Sequence, residues 1–130
     1  MILVDSSAWI EFLRDTGSPV CSRVERLLHA DDIATCHPIR MEVLAGARGE
    51  QHLSQLRGLL ARASIVPTEP TEYEAAATLY RTCRQGGETI RKLIDCLIAA
   101  CAISAEVPVL HADQDFEALA RHTDLRTDEP

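Results

Sequence analysis

Four carboxylates stand where a solvated surface acid would not be expected. Asp5 closes the apolar run Ile2-Leu-Val4, Glu42 lies inside Ile39-Arg-Met-Glu-Val-Leu44, Asp95 lies inside Leu93-Ile-Asp-Cys-Leu-Ile98, and Asp113 follows Val109-Leu-His111. Acids embedded in apolar sequence must be neutralised or must hold a cation. Two carboxylates about 4 Å apart repel by roughly 4 kcal/mol at an effective dielectric of about 20. Several such pairs would consume much of a domain stability of about 5–15 kcal/mol. A hard divalent cation removes the conflict, and an all-oxygen donor set selects Mg²⁺ or Mn²⁺ over zinc. A site of that kind is suited to phosphoryl chemistry. Each acid also has a simpler account. Asp5 could cap a helix, Asp95 could sit in a first helical turn, and Asp113 with Asp115 could form a capping Asx turn. Glu42 has the weakest such explanation, and spacing alone does not bring the four together.

The elements that would position these acids alternate between strand and helix. Residues 2–4 read as a strand buried on both faces. Ser6 or Ser7 can cap the helix that follows, with Trp9, Phe12 and Leu13 on its inner face, until Gly17-Ser-Pro19 breaks it. Val20, Val24, Leu27 and Leu28 give an amphipathic helix over 19–30, and Ile33 to Cys36 reads as a second strand. Pro38 opens a helix to Gly46, and residues 50–62 form another with Leu53, Leu56, Leu59 and Leu60 on one face. Residues 64–66 make a third strand. Thr71 with Glu74 predicts a capping box for a helix ending near Gln85, where Gly86-Gly87 stops it. Thr89 would cap a helix from about Ile90 to Ala105, residues 107–111 form the next strand, and Gln114 to Arg121 the last helix. The polar end from Thr123 to Pro130 reads as loosely ordered. The pattern predicts one α/β domain over 1–130, with a mainly parallel central sheet of four to five strands flanked by helices. In such sheets ligands bind beyond the carboxyl ends of the strands, where Asp5 and Asp113 fall. Asp95 lies near a helix start, with Arg91 four residues earlier as its expected ion-pair partner.

Composition narrows the function classes. A formal charge of −7 argues against a protein that coats nucleic acid by bulk attraction, and leaves room for an enzyme acting on phosphates through metal ions. Every basic residue except Lys92 is Arg, and Arg81, Arg84, Arg91 and Lys92 are gathered just before Asp95. That group could be a phosphate-facing rim or an ordinary solvated helix face. Five cysteines without a C-x-x-C pair fit buried hydrophobes better than a disulfide framework. A zinc half-site at Cys36-His37, joined by His111, is a minor alternative. The longest uncharged apolar stretch, Cys96 to Ala105, is too short to span a bilayer, and no secretory signal is evident, so a cytosolic setting is expected.

Taken together, four segments resemble the PIN-domain family, and more narrowly the VapC-type toxin ribonucleases of bacterial toxin-antitoxin pairs. They are Ile2-Leu-Val-Asp-Ser-Ser-Ala-Trp-Ile10, Pro38-Ile-Arg-Met-Glu-Val-Leu-Ala-Gly46, Gly87-Glu-Thr-Ile-Arg91 leading into Ile94-Asp-Cys-Leu-Ile-Ala-Ala100, and Leu110-His-Ala-Asp-Gln-Asp-Phe116. The family's metal-binding acids fall on Asp5, Glu42, Asp95 and Asp113, with Asp115 assisting through a metal-bound water. The family often has Thr after its first Asp, where this chain keeps a hydroxyl on Ser6. Ser6 or Ser7 would orient Asp5 or a water, and Arg91 and Lys92 are candidate phosphate contacts. The resemblance implies Mg²⁺-dependent hydrolysis of an RNA phosphodiester, Mn²⁺ being a possible substitute, in a bacterial cytoplasm. The expected substrate is a structured RNA such as tRNA. It also implies a homodimer and a VapB-type antitoxin that occludes the acidic cleft and builds a higher assembly. Two alternatives make different demands on the residues. A non-catalytic acidic binding module would need no metal. An aspartyl phosphatase would need a second Asp two residues after Asp5, where Ser7 stands.

Overall fold

The structure is a computed structural model that describes residues 1–130. Short apolar strands form its centre: β1 (Ile2–Val4), β2 (Ile33–Thr35), β3 (Ser64–Ile65) and β4 (Val109–Leu110). They pair in the order β3-β2-β1-β4, all parallel. β1, β2 and β4 are buried throughout, which explains why their sequences are continuously apolar rather than alternating. β3 lies on an edge and is exposed. Chain entry into the first two helices is set locally. Asp5 caps α1 (Ser6–Leu13), and the Ser18 hydroxyl accepts the Cys21 N–H at the start of α2 (Pro19–His29), whose first residue is proline. Helices α3 (His37–Ala45) and α4 (Glu50–Leu60) link β2 to β3, α5 (Pro70–Gln85) and α6 (Leu93–Ala105) link β3 to β4, and α7 (Gln114–His122) follows β4.

Right-handed crossovers place α1 to α4 on one face of the sheet and α5 and α6 on the other. Most helix contacts follow that division: α1 packs on α2 and α3, and α3 on α4, whereas α5, α6 and α7 pack on one another; α3 also touches α6 across it. One continuous core fills both interfaces, with Trp9, Phe116, Leu3, Ile39 and Ile98 fully enclosed. α6 is apolar on nearly every face because it is enclosed on nearly every face, from Asp95 to Ala102. The chain leaves β1 toward β2 on one side and returns to β4 on the other. The gap between β1 and β4 is therefore the point where strand order reverses, and Asp5 and Asp113 border it.

Several sequence expectations are corrected here. α6 starts at Leu93 rather than near Ile90, with Lys92 and not Thr89 at its cap position. Residues 86–92 form a loop, because the N–H of Lys92 is taken by the Asp115 carboxylate and Glu88 is held by Arg121 and His122. The capping box of α5 is Glu69 with Glu72, two residues earlier than Thr71 with Glu74. Strand 107–111 shortens to Val109–Leu110. The C-terminal end is not loose: Thr127 bridges Val109, Asp128 forms a two-pronged ion pair with Arg23, and Leu125 is buried. No helix is long and apolar enough to cross a membrane.

Candidate metal centre

Asp5 leaves the end of β1 and is almost wholly enclosed, at 1% exposure. One of its oxygens, Oδ2, accepts the Ser7 N–H at 3.0 Å and the Ser7 hydroxyl at 2.6 Å. The same hydroxyl oxygen accepts the Ala112 N–H at 2.9 Å, so Ser7 fastens the end of β1 to the segment after β4. The other oxygen, Oδ1, is buried with no hydrogen-bond partner. Asp95, also 1% exposed, enters from the first turn of α6, and its Oδ2 likewise has no hydrogen-bond partner. Buried carboxylate oxygens without donors are costly and rare. Two of them in one site, both on acids that sequence singled out, point to a positive ligand.

Asp113 caps α7 through the Asp115 N–H, and Asp115, two residues on in the first turn, is buried. Asp95, Asp113 and Asp115 each offer an oxygen within 4.8 Å of the others. Asp5 and Glu42 do not join a group of that tightness. Asp5 nevertheless stands close enough for its charge to act on Asp95, and Glu42 feels the charges of Asp5, Asp113 and Lys92. Glu42 is half-buried on α3, where its Oε1 accepts the Ser6 hydroxyl at 3.0 Å. Both serines flanked by Asp5 and Ala8 thus serve acids: Ser7 holds Asp5, and Ser6 holds Glu42.

Cations meet the other half of the site. The Lys92 ammonium lies 2.8 Å from Asp113 and 3.7 Å from Asp95. Arg91 reaches Asp113 at 3.2 Å and Asp115 at 3.3 Å. The expected pairing of Arg91 with Asp95 is therefore replaced: Arg91 precedes the helix, and the side chain three residues before Asp95 is Lys92. The acids titrate accordingly. Burial, with the Asp5 charge added, pushes Asp95 up to about 8 despite Lys92. Burial also raises Asp5 and Glu42, against the pull of their serine hydroxyls. Burial would raise Asp113 as well, but Lys92 and the Asp115 N–H outweigh it and hold that carboxyl below its ordinary value.

Asp115, expected to assist through a metal-bound water, lies in the tight oxygen group with Asp95 and Asp113. One feature escaped the sequence reading. Ser7 as a clamp between β1 and β4 could not be read, because its partner Ala112 N–H is a backbone group distant in sequence. The Cys36-His37 half-site does not assemble. The His111 ring lies against Phe116 and its Nε2 is 3.2 Å from Glu117, and all five cysteines are free and buried.

The donor set is all oxygen, and its two unpartnered oxygens are enclosed, which fits a hard divalent cation. A profile of the PIN domain matches residues 2–122. The chain belongs to the PIN-domain family. It is 43% identical over 129 residues to VapC ribonuclease Mb1587 of Mycobacterium bovis, covering 97% of this chain and 96% of that one. Ribonuclease VapC11 of Mycobacterium tuberculosis matches with the same identity and coverage. This PIN domain therefore stands with the VapC-type branch. In fold it is similar to VapBC2 from Rickettsia felis bound to a promoter DNA fragment, with a TM-score of 0.76, 20% identity and 98% of both chains covered. It is also similar to the sarcin-ricin loop cleaving toxin VapC20 of Mycobacterium tuberculosis, with a TM-score of 0.68, 17% identity, and 97% of this chain and 99% of that one covered.

Proposed function

We propose that this PIN domain is a metal-dependent endoribonuclease and the toxin of a bacterial toxin-antitoxin pair. The observation that carries the proposal is the pair of enclosed oxygens without a hydrogen bond, on Asp5 and Asp95, the latter with only the Lys92 ammonium at 3.7 Å, beside the oxygen group of Asp95, Asp113 and Asp115. Asp5 and Asp95 would be direct ligands of Mg²⁺ or Mn²⁺, with Glu42, Asp113 and Asp115 completing the shell. When bound, the ion supplies a water of lowered pKa and positive charge at the phosphate. The chain's own residues do the rest. Ser7 fixes the carboxylate plane of Asp5. Glu42, raised by burial and free at Oε2, is suited to take a proton from the attacking water. Lys92 and Arg91 present cations where phosphate oxygens would lie, and would exchange part of their contact with Asp113 and Asp115 for the substrate.

The relatives named VapC ribonuclease support RNA as the substrate, and a structured RNA such as tRNA is the expected target. A VapB-type antitoxin is the expected inhibitor. A groove of about 250 Å³ lined by Ile10, Leu13, Val43 and Leu56 runs between α1, α3 and α4 to Glu42. An apolar segment lying there would deliver an Arg among the acids. A homodimer in the cytoplasm completes the reading. Mg²⁺- or Mn²⁺-dependent cleavage of purified RNA that vanishes in Asp5→Asn is the test, and equal cutting by the variant would refute the assignment. A non-catalytic acidic pocket is favoured by one observation, the internal pairing of Asp113 and Asp115 with Lys92 and Arg91. That reading requires a melting temperature indifferent to Mg²⁺.

A further inference from the structure

Beside the acids, the end of α5 and the loop before α6 enclose a groove of about 580 Å³ lined by Tyr80, Arg81, Arg84, Ile90, Arg91 and Leu93. No carboxylate lines it, although the chain carries a net charge of −7. Arg81 and Arg84 are exposed and form no ion pair within the protein, as is true of Arg14, Arg26, Arg48, Arg57 and Arg126; what distinguishes them is that both line one groove together with Arg91. Unneutralised cations facing one groove are either solvated surface or a site for an anion. Two further observations favour the site. The Arg84 guanidinium lies over the Tyr80 ring, 5.5 Å from its centre, which leaves both an aromatic and a guanidinium plane at the groove. Arg91 belongs to the groove lining and to the acid centre at once, since it lines the groove while bonding Asp113 and Asp115. Arg91 therefore joins the groove to the acid centre.

We propose that this groove holds a single-stranded stretch of RNA flanking the cleaved phosphate, with Arg81 and Arg84 on its phosphates and Tyr80 under a base. The proposal rests on the nuclease reading for its substrate class and deepens it by naming where the strand runs. Guanidinium forks match phosphate oxygens in pairs, and aromatic faces stack bases without regard to sequence. Arg81 and Arg84, three residues apart on α5, share one helix face and can serve neighbouring phosphates. The exposed Leu93 and buried Ile90 give the groove an apolar floor for the flat face of a base.

The test is fluorescence anisotropy of the full chain with a 5′-fluorescein single-stranded RNA of about 12 nucleotides and mixed sequence, a length within the usual site size. EDTA prevents cleavage, and salt is varied upward from about 50 mM, since phosphate contacts are read from the salt slope. R81Q/R84Q is compared with R26Q/R57Q, which loses the same charge from exposed arginines on α2 and α4. The expected result is roughly tenfold weaker binding by R81Q/R84Q, with a salt slope flatter by about 1.4, the value for two single-strand phosphate contacts. R26Q/R57Q should track the parent. Y80L should weaken binding severalfold and keep the parent's slope. Binding by R81Q/R84Q equal to that of R26Q/R57Q, or no RNA binding by the parent, overturns the groove. So does a loss confined to an acidic peptide such as oligoglutamate, which would make the groove a protein-docking surface. The two readings separate cleanly. A parent that binds RNA through these arginines but never cuts it in Mg²⁺ refutes the nuclease and leaves the groove. Cutting by R81Q/R84Q with the parent's KM refutes the groove and leaves the nuclease.

Discussion

The acid centre has two halves built on opposite principles. Asp5 and Glu42 are held by neutral hydroxyls, those of Ser7 and Ser6, and burial raises both carboxyls. Asp113 and Asp115 are held by cations, those of Lys92 and Arg91, and Asp113 stays ionised more readily than a free carboxyl. Asp95 lies on the border: the Lys92 ammonium is 3.7 Å from its Oδ2, too far to hydrogen-bond that oxygen, and the group is pushed up to about 8. Hydroxyls orient an acid without neutralising it, so the first half keeps its demand for a positive ligand. The cation-held half has met that demand in advance and can offer its cations to phosphate.

The largest expected effect breaks this contrast open. Asp5→Asn and Asp95→Asn should each slow RNA cleavage by about 10³-fold, the scale seen when a charge-stabilising group is removed from an active site. Their effect on the metal-free fold should run against that of Asp113→Asn. At neutral pH the metal-free fold must take up a proton on Asp95 that the unfolded chain has released, a cost that Asp95→Asn removes, so melting in EDTA should move up. Asp113→Asn leaves Lys92 without its closest partner, and melting should move down. Shifts of the same sign in calorimetry would show that the two halves are not different in kind.

Metal and pH sharpen the contrast next. Asp95 has a folded pKa near 8 against an ordinary value of 3.8, so between these limits the folded state holds a proton that the unfolded chain has released. Metal-free stability should therefore fall as pH rises from about 4 to about 8. Asp113, shifted the other way, contributes stability above its ordinary value that is lost only as pH falls through its depressed one. Mg²⁺ at a hundredfold excess over Kd should add about 2.7 kcal/mol. That gain should grow with pH across the Asp95 window, because binding must displace its proton. A gain independent of pH would remove Asp95 from the ligands.

Third in size is Ser7→Ala. It deletes the bond to Asp5 and leaves the Ala112 N–H without its acceptor, which joins the ends of β1 and β4. A loss of about 2 kcal/mol in urea unfolding is expected from an abandoned donor together with a lost charged hydrogen bond. Loss below about 0.5 kcal/mol, a typical lower bound for one hydrogen bond, would mean that the clamp carries nothing.

The same contrast explains what could be read from the sequence. Strand followed by acid is a local pattern, so Asp5 and Asp113 were legible at the carboxyl ends of β1 and β4, and the parallel α/β fold followed from apolar runs alternating with helical periodicity. Glu42 and Asp95 were legible because each interrupts an apolar stretch. What held each acid was not. The pairing of Arg91 with Asp113 and Asp115 rather than Asp95 depends on a loop over 86–92 where helical spacing fails, and that loop exists because Asp115 accepts the Lys92 N–H. Order in the C-terminal end was equally hidden, since Arg23 and Asp128 are far apart in sequence and adjacent only in the fold.

The smallest expected effect tests the hydroxyl-held half where it bears on proton transfer. Ser6 is buried and gives its hydroxyl to Glu42 alone, with no strand clamp depending on it. Ser6→Ala should therefore cost about 1 kcal/mol, the usual worth of one hydrogen bond, and less than Ser7→Ala. Its informative consequence is electrostatic. The hydroxyl favours ionised Glu42 against the raising effect of burial, so its removal lifts that carboxyl further. If ionised Glu42 takes the proton of the attacking water, the acidic limb of the pH–rate profile must move to higher pH, and Ser6→Thr, which keeps a hydroxyl, must move it back. A profile that stays in place while stability drops would assign Ser6 to the fold and Glu42 to a role other than the base.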